Sequence, residues 1–321
     1  MKISVVIPAY NAAATIDAAI ESVLTQTVAP DEILVMDDGS ADDTFRHLER
    51  FQPKVKAYRQ SNQGVAHSRN VLCELAKGEV IAFLDSDDVW HPEYLETQLA
   101  VLKKFSGVAA TFTGHVGFRG SGGYSWNERP QTVESNFEVI ESLRFFERYN
   151  RCPGPFGSPS FCCIPKRVLT QMGKEPFPVK VSGADDFYLM NVLPQYGSVA
   201  YTSTPLVAYR ETPGSISSNH LRSIELGVTV LELLAEGYRN FPEREYVKVF
   251  NRAFASKRRL YAKVLMGAGK VSEARTQLKS SLTNGGGAAS LVKSLGLLVS
   301  TYLPMPLHPE WPASRRKQAV A

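Results

Sequence analysis

Three carboxylates stand in four positions where an apolar run ends: Asp85, Asp87 and Asp88 follow "VIAFL". If Asp85 keeps extended geometry, Asp85 and Asp87 point the same way, because alternate strand residues share a face. One or two hard oxygen donors, with water and phosphate completing the shell, suit Mg²⁺ or Mn²⁺. The same residues also make an ordinary solvated turn ahead of a helix, where Asp is common. A second pair, Asp37 and Asp38, ends "EILVM" and precedes Gly39 and Ser40. It fits either a turn that caps the next helix or a carboxylate that accepts hydrogen bonds from a base or ribose. A third pair, Asp185 and Asp186, opens "DDFYLMNVL". Capping and favourable dipole placement are its plain structural role, and the dipole is expected to keep both groups ionised.

These residues need elements to hold them. "ISVVIPAY", "DEILVM", "VKAYRQ" and "VIAFLD" read as strands. "AATIDAAIESVLTQT", "ADDTFRHLERF", "VAHSRNVLCELAKG" and "PEYLETQLAVLKKF" read as helices, the last with Pro92 in its first turn. Alternation of strand and helix implies a parallel sheet with helices on both faces, and ligands beyond the carboxyl ends of the strands. Tyr10 and Asn11, Asp37 and Asp38, and Asp85 to Asp88 all fall at such ends. From Val108 the pattern turns α+β: "VAATFTGHVGF" a strand, "NFEVIESLRFFERY" a helix, "SFCCI" a strand, "PKRVLTQMG" and "GADDFYLMNVLPQYG" helices, "SVAYTSTPLVAYRE" one or two strands. From Leu221 the chain reads as four helices. In the first, Leu221, Ile224, Val228, Leu231, Ala235 and Tyr238 recur at three and four, as a core stripe does.

The chain has 321 residues, a net charge of +4 and 21% charged residues. So small a balance argues against a dedicated nucleic-acid binder and agrees weakly with anionic substrates. Cys73, Cys152, Cys162 and Cys163 form no CxxC pair and are expected to be reduced core thiols of an intracellular protein. With the first strand expected from Ile3, no signal peptide is expected, and no apolar run reaches the ~18 residues of a membrane span.

Five ordered motifs, "VVIPAYNAAATIDAAIESVLTQT", "EILVMDDGSADDT", "NQGVAHSRN", "GEVIAFLDSDDVWHPEYLE" and "GADDFYLMNVL", resemble the family 2 glycosyltransferases of the GT-A fold. The resemblance covers residues 1–215 and implies a Rossmann-like mixed sheet flanked by helices. About 1–105 would be the nucleotide-sugar-binding half and about 106–215 the acceptor-side half. Residues 216–321 would form a helical extension that no motif covers. By the same resemblance Pro8, Ala9, Tyr10 and Asn11 line the nucleotide pocket, with Tyr10 against the base. Asp38, with Asp37 beside it, binds base or ribose, and Arg69 sits near base or phosphates. Asp85, Ser86 and Asp87 supply the DXD element that holds Mn²⁺ or Mg²⁺ on the diphosphate, Asp87 most directly. Asp186 takes the place of the general base, with Asp185 where the family has Glu. Family members often carry "RxH" after the last strand. Here Thr212 stands in the His position, leaving His220, or Ser215 and Ser217, as substitutes.

The implied activity is inverting transfer of one sugar from a nucleotide-sugar donor, with UDP the expected nucleotide, to a glycan or lipid-linked sugar. A nucleotidyltransferase of similar fold should have a Gly-rich basic loop where "PAYNAAATI" stands. A non-catalytic phospho-acceptor module should have its acidic pair after the first strand, not the second. A processive synthase should have transmembrane helices and "QxxRW". The expected location is cytoplasmic. The last helix, "ASLVKSLGLLVSTYL", either packs on the catalytic domain or, with Arg315, Arg316 and Lys317, contacts the inner face of the membrane.

Overall fold

A computed structural model describes residues 1–126, 137–152, 154–212, 220–239, 242–283 and 287–302. The chain divides into two compact units, 1–213 and 214–321.

The first unit is built on one sheet. Its strands are β1 (Ile3–Ala9), β2 (Glu32–Asp37), β3 (Lys56–Arg59), β4 (Val80–Phe83), β5 (Val89–Trp90), β6 (Ala110–Phe118), β7 (Glu138–Ile140), β8 (Cys162–Pro165) and β9 (Val199–Arg210). They lie in the order β3-β2-β1-β4-β8-β6-β9-β5, with β7 on β9. Strands β1 to β4 are mutually parallel, as the alternation implies. β8 runs antiparallel between β4 and β6, and β6 and β9 pair in parallel. The sheet is therefore mixed.

Helices cover both faces because successive strand residues point to opposite sides. Val5, Ile7, Ile33, Val35, Val80 and Ala82 enter one core, with α1 (Ile16–Leu24) and α4 (Tyr94–Lys104). Val6, Leu34, Met36, Ile81 and Phe83 enter the other, with α3 (Val65–Leu75), α5 (Ser142–Arg151), α6 (Lys166–Gln171) and α7 (Asp185–Val192). The short α2 (Thr44–Glu49) follows β2. Strand residues buried on both faces explain why β1, β2 and β4 read as continuous apolar runs instead of alternating ones.

Three local readings change. "NFEVIESLRFFERY" holds strand β7 before its helix: Ile140 joins the edge of β9 and only from Ser142 does the chain coil. Helix α4 starts at Tyr94, leaving Pro92 in the preceding turn, where its carbonyl accepts from the amide of Thr27. Cys152 is exposed, whereas Cys73, Cys162 and Cys163 are buried free thiols, and burial pushes the Cys73 thiol up to about 12.

The second unit is helical: α8 (His220–Arg239), α9 (Arg244–Gly267), α10 (Val271–Thr283) and α11 (Ala288–Ser300). Ile224, Val228, Leu231 and Tyr238 are buried along the expected stripe, and Tyr238 stacks on Phe250 at 4.5 Å. No described helix is long and apolar enough to cross a membrane.

Candidate active site

The ends of β1 and β2 are tied to each other. Pro8 and Ala9 are buried within β1, while the ring of Tyr10 is 53% exposed. Asn11 adopts a left-handed φ of 49°. Its amide donates to Ser40 Oγ at 2.8 Å and its Oδ1 accepts from Ala41 N at 2.9 Å. Asp37 is buried; it accepts from Ser40 N at 3.0 Å and faces Arg59 Nε at 3.1 Å. Asp38 is buried too. Its carboxylate accepts from Gln60 Nε2 at 2.7 Å, Gln63 N at 2.9 Å and Gly64 N at 2.7 Å. Asp38 thus holds the loop that follows β3. Gly39, at φ +75°, lets that loop approach: a Cβ there would lie 2.7 Å from Asn62 N. In this geometry the Asp38 carboxylate is engaged by its own chain.

The acidic cluster after β4 is not a solvated turn. The amide of Asp85 donates to Ser160 Oγ at 2.9 Å, and Ser158 Oγ donates to Asp85 Oδ2 at 3.2 Å. Arg69, buried on α3, donates from Nη2 to Asp85 Oδ1 and from Nη1 to Asp185 Oδ2, both at 2.5 Å. Arg69 therefore bridges the end of β4 to the start of α7, with both terminal nitrogens on carboxylates. Asp88 is buried; its Oδ1 accepts from the amide of Arg210 at 2.9 Å, and burial, followed by the charges of Asp87 and Asp85, raises its pKa well above the carboxylate range. Ser86 and Asp87 are partly buried. The Asp87 carboxylate accepts from Thr212 Oγ1 at 3.3 Å. Burial and the neighbouring Asp85 charge raise its pKa.

Arg210 is the functional neighbour that residue patterns understate. From the end of β9 its Nε donates to the Asp87 carbonyl at 2.6 Å, Nη1 to the Gly120 carbonyl and Nη2 to the Gly122 carbonyl at 2.9 Å. It holds the Asp87 turn against the loop that follows β6. In sequence it closes the apolar run "LVAY" and fills the Arg position of the "RxH" element whose His position is Thr212. Ser158 and Ser160 have no sequence signal, because they meet Asp85 only through the fold.

Asp186 opens α7 beside Asp185. Gly183 N donates to Asp185 Oδ1 at 2.9 Å and Phe187 N to Asp186 Oδ1 at 2.6 Å. The expectation that the helix dipole keeps Asp186 fully ionised is overturned. Burial, followed by the Asp185 charge, outweighs Arg69 and the Phe187 amide, and the pKa rises to about 7. Ser215, Ser217, the side chain of His220, and Arg315, Arg316 and Lys317 lie outside the described residues.

No group of three His, Cys, Asp or Glu among the described residues could hold a metal by itself. A cation here would draw most of its shell from elsewhere. The donor set fits that case. Asp87 is a carboxylate with few partners and a like charge beside it, a combination that a divalent cation relieves.

Residues 4–170, just over half of the chain, match the family model described as glycosyl transferase family 2. The chain belongs to this family. An Escherichia coli relative, UDP-Glc:alpha-D-GlcNAc-diphosphoundecaprenol beta-1,3-glucosyltransferase WfgD, is 30% identical over 235 residues, covering 70% of this chain and 82% of that one. Staphylococcus aureus TarS 1-349 in complex with UDP-GlcNAc superposes with a TM-score of 0.71 at 19% identity, over 94% of this chain and 89% of the other. The mannosyltransferase PcManGT of Pyrobaculum calidifontis, in complex with GDP-Man and Mn²⁺, gives 0.56 at 18% identity, over 94% and 81%. The expected GT-A architecture, a mixed sheet with C-terminal helices, holds. The family 2 chain is a glycosyltransferase.

Proposed function

We propose that this family 2 enzyme transfers a single sugar, with inversion, from a UDP-sugar to a hydroxyl of a glycan or lipid-linked sugar. The observation that carries the proposal is the Asp85–Arg69–Asp185 bridge, which draws Asp186 and the Asp85–Asp87 cluster into one electrostatic site. Asp186, poised near neutrality, takes the proton of the acceptor hydroxyl as general base. The acceptor oxygen bonds to the anomeric carbon from the face opposite the leaving group. The bond from that carbon to the diphosphate oxygen breaks, and its electron pair leaves with UDP. Asp87, with Asp85, would hold Mn²⁺ or Mg²⁺, which when bound neutralises charge on the diphosphate. Tyr10 offers its exposed ring to the base, and Pro8, Ala9, Asn11, Asp37 and Asp38 frame the pocket wall around it. Ser86 lies between the two metal-facing carboxylates. Arg69, held on Asp85 and Asp185, joins the donor and acceptor sides near the base or phosphates.

The choice of UDP draws support from the names of the E. coli relative and the S. aureus structure, and the lipid-linked acceptor from that of the E. coli relative. The metal draws support from the Mn²⁺ complex of the mannosyltransferase. The test is UDP release by the purified chain from a panel of UDP-sugars with Mn²⁺, with and without sugar-diphosphate-lipid acceptors, and product configuration by NMR. Acceptor-dependent UDP release with an inverted linkage is expected. A retained linkage would overturn the mechanism, and unaltered turnover in EDTA would overturn the metal.

A further inference from the structure

Helix α11 is packed the wrong way round for a core helix. The side chains it buries are Ser290, Ser294 and Ser300, and Thr301 just beyond its end is buried too. Arg259 of α9 donates to Ser290 Oγ at 2.7 Å and to Ser294 Oγ at 3.1 Å. Arg275 of α10 donates from Nε to Thr301 Oγ1 at 3.1 Å, and its guanidinium lies 3.9 Å from the Tyr302 ring. The helix is thus seated by a polar seam. Its apolar stripe faces outward: Val292 is 69%, Leu295 49% and Val299 64% exposed, and Tyr302 is 62% exposed. Those positions share one face at helical spacing.

Charge says what would cover this stripe. Residues 214–321 carry 16 Lys and Arg against 7 Asp and Glu, whereas residues 1–213 carry 20 against 25. The mild balance of the whole chain conceals a basic helical unit joined to an acidic catalytic one. Lys293 is the only charge on α11. Exposed Arg252 and Lys263 share the stripe of α9 that carries Arg259 to α11. A second copy would set one basic unit against another, so self-association on this face is opposed. An apolar stripe in a basic unit matches an anionic lipid surface. At 13 residues α11 is about 20 Å long, too short for a hydrocarbon core of about 30 Å, so it would lie in the interface and not span it.

We infer that α11 docks the enzyme on an anionic membrane surface through Val292, Leu295, Val299 and Tyr302. This deepens the proposed function, resting on its lipid-linked acceptor for a purpose, but its evidence is independent of that acceptor. The test is co-sedimentation of the full chain with phosphatidylglycerol-containing and pure phosphatidylcholine vesicles, beside V292S/L295S/V299S. UDP release from a UDP-sugar in solution and the circular dichroism spectrum are read on the same samples. Binding to the anionic vesicles only, reduced more than tenfold in the variant with UDP release and spectrum unchanged, is expected. No binding by the wild-type chain, or equal binding by the folded variant, would overturn the inference. So would a wild-type oligomer that the variant converts to monomer, which would assign the face to a second copy. Should the variant lose its fold, Val292→Ser alone decides by the same readings. Loss of UDP release in the wild-type chain with vesicle binding intact would overturn the proposed activity and leave the docking surface standing.

Discussion

The Asp38 loop and the Asp87–Asp186 site use the same side chain in opposite states. Asp38 accepts three hydrogen bonds from its own chain, two of them from backbone amides. Asp87 accepts from Thr212 and Asp186 from the Phe187 amide; both lie beside another carboxylate and have raised pKa values. A satisfied carboxylate builds a wall. A carboxylate short of partners and pressed by like charge takes up a cation or a proton, which is the chemistry the proposed transfer needs.

The comparison breaks most visibly at Asp87. Asp87→Asn is expected to abolish metal-dependent turnover while raising or preserving the melting temperature, because a neutral amide removes repulsion with Asp85. Full activity of this variant in EDTA would return Asp87 to a turn role. Asp186→Asn should lower transfer by roughly 10²–10⁴-fold with nucleotide affinity and fold intact. A pure capping role predicts near silence instead, since Asn caps as well as Asp. Calorimetric nucleotide binding alongside the transfer assay separates the two.

Asp38→Ala should act the other way, on stability first. It leaves two loop amides and Gln60 without their acceptor, at a cost of about 2–4 kcal/mol by denaturant unfolding. Nucleotide affinity should fall with the loop. Weakened nucleotide binding with stability unchanged would show instead that the carboxylate meets the nucleotide directly.

The smallest expected effect is in pH. With Asp186 as base, kcat/KM should fall about tenfold per unit as pH drops below about 7. Stability should move in the opposite sense. The folded pKa of about 7 lies above the ordinary 3.8, so the folded chain binds the extra proton between those values, and the Asp186 contribution declines as pH rises across that window. Asp186→Asn should flatten both profiles. A pH dependence retained by that variant would assign the titration to another group.

Much of this molecule is legible from its residues one at a time. Buried apolar runs specify β1, β2 and β4, because strands covered on both faces leave no polar positions. Tyr10, Asp37, Asp38 and Asp85 mark where those strands end, since a sheet places its ligand crevice at that edge. The helical stripe from Ile224 to Tyr238 is likewise a periodicity that needs no tertiary knowledge. These are local signals, written within one element.

What only the tertiary structure decided is which charges meet. Arg69 and Asp185 stand 116 positions apart yet touch. The proton affinity of Asp186 comes first from burial by the fold and then from the adjacent Asp185 charge, against the local expectation from its helix dipole. Strand β7 forms only because the edge of β9 is there to receive it. The outward face of α11 follows from Arg259 and Arg275, which draw its serines and Thr301 inward. Hydrogen bonds and desolvation depend on distance in space, and a sequence orders its residues only along the chain.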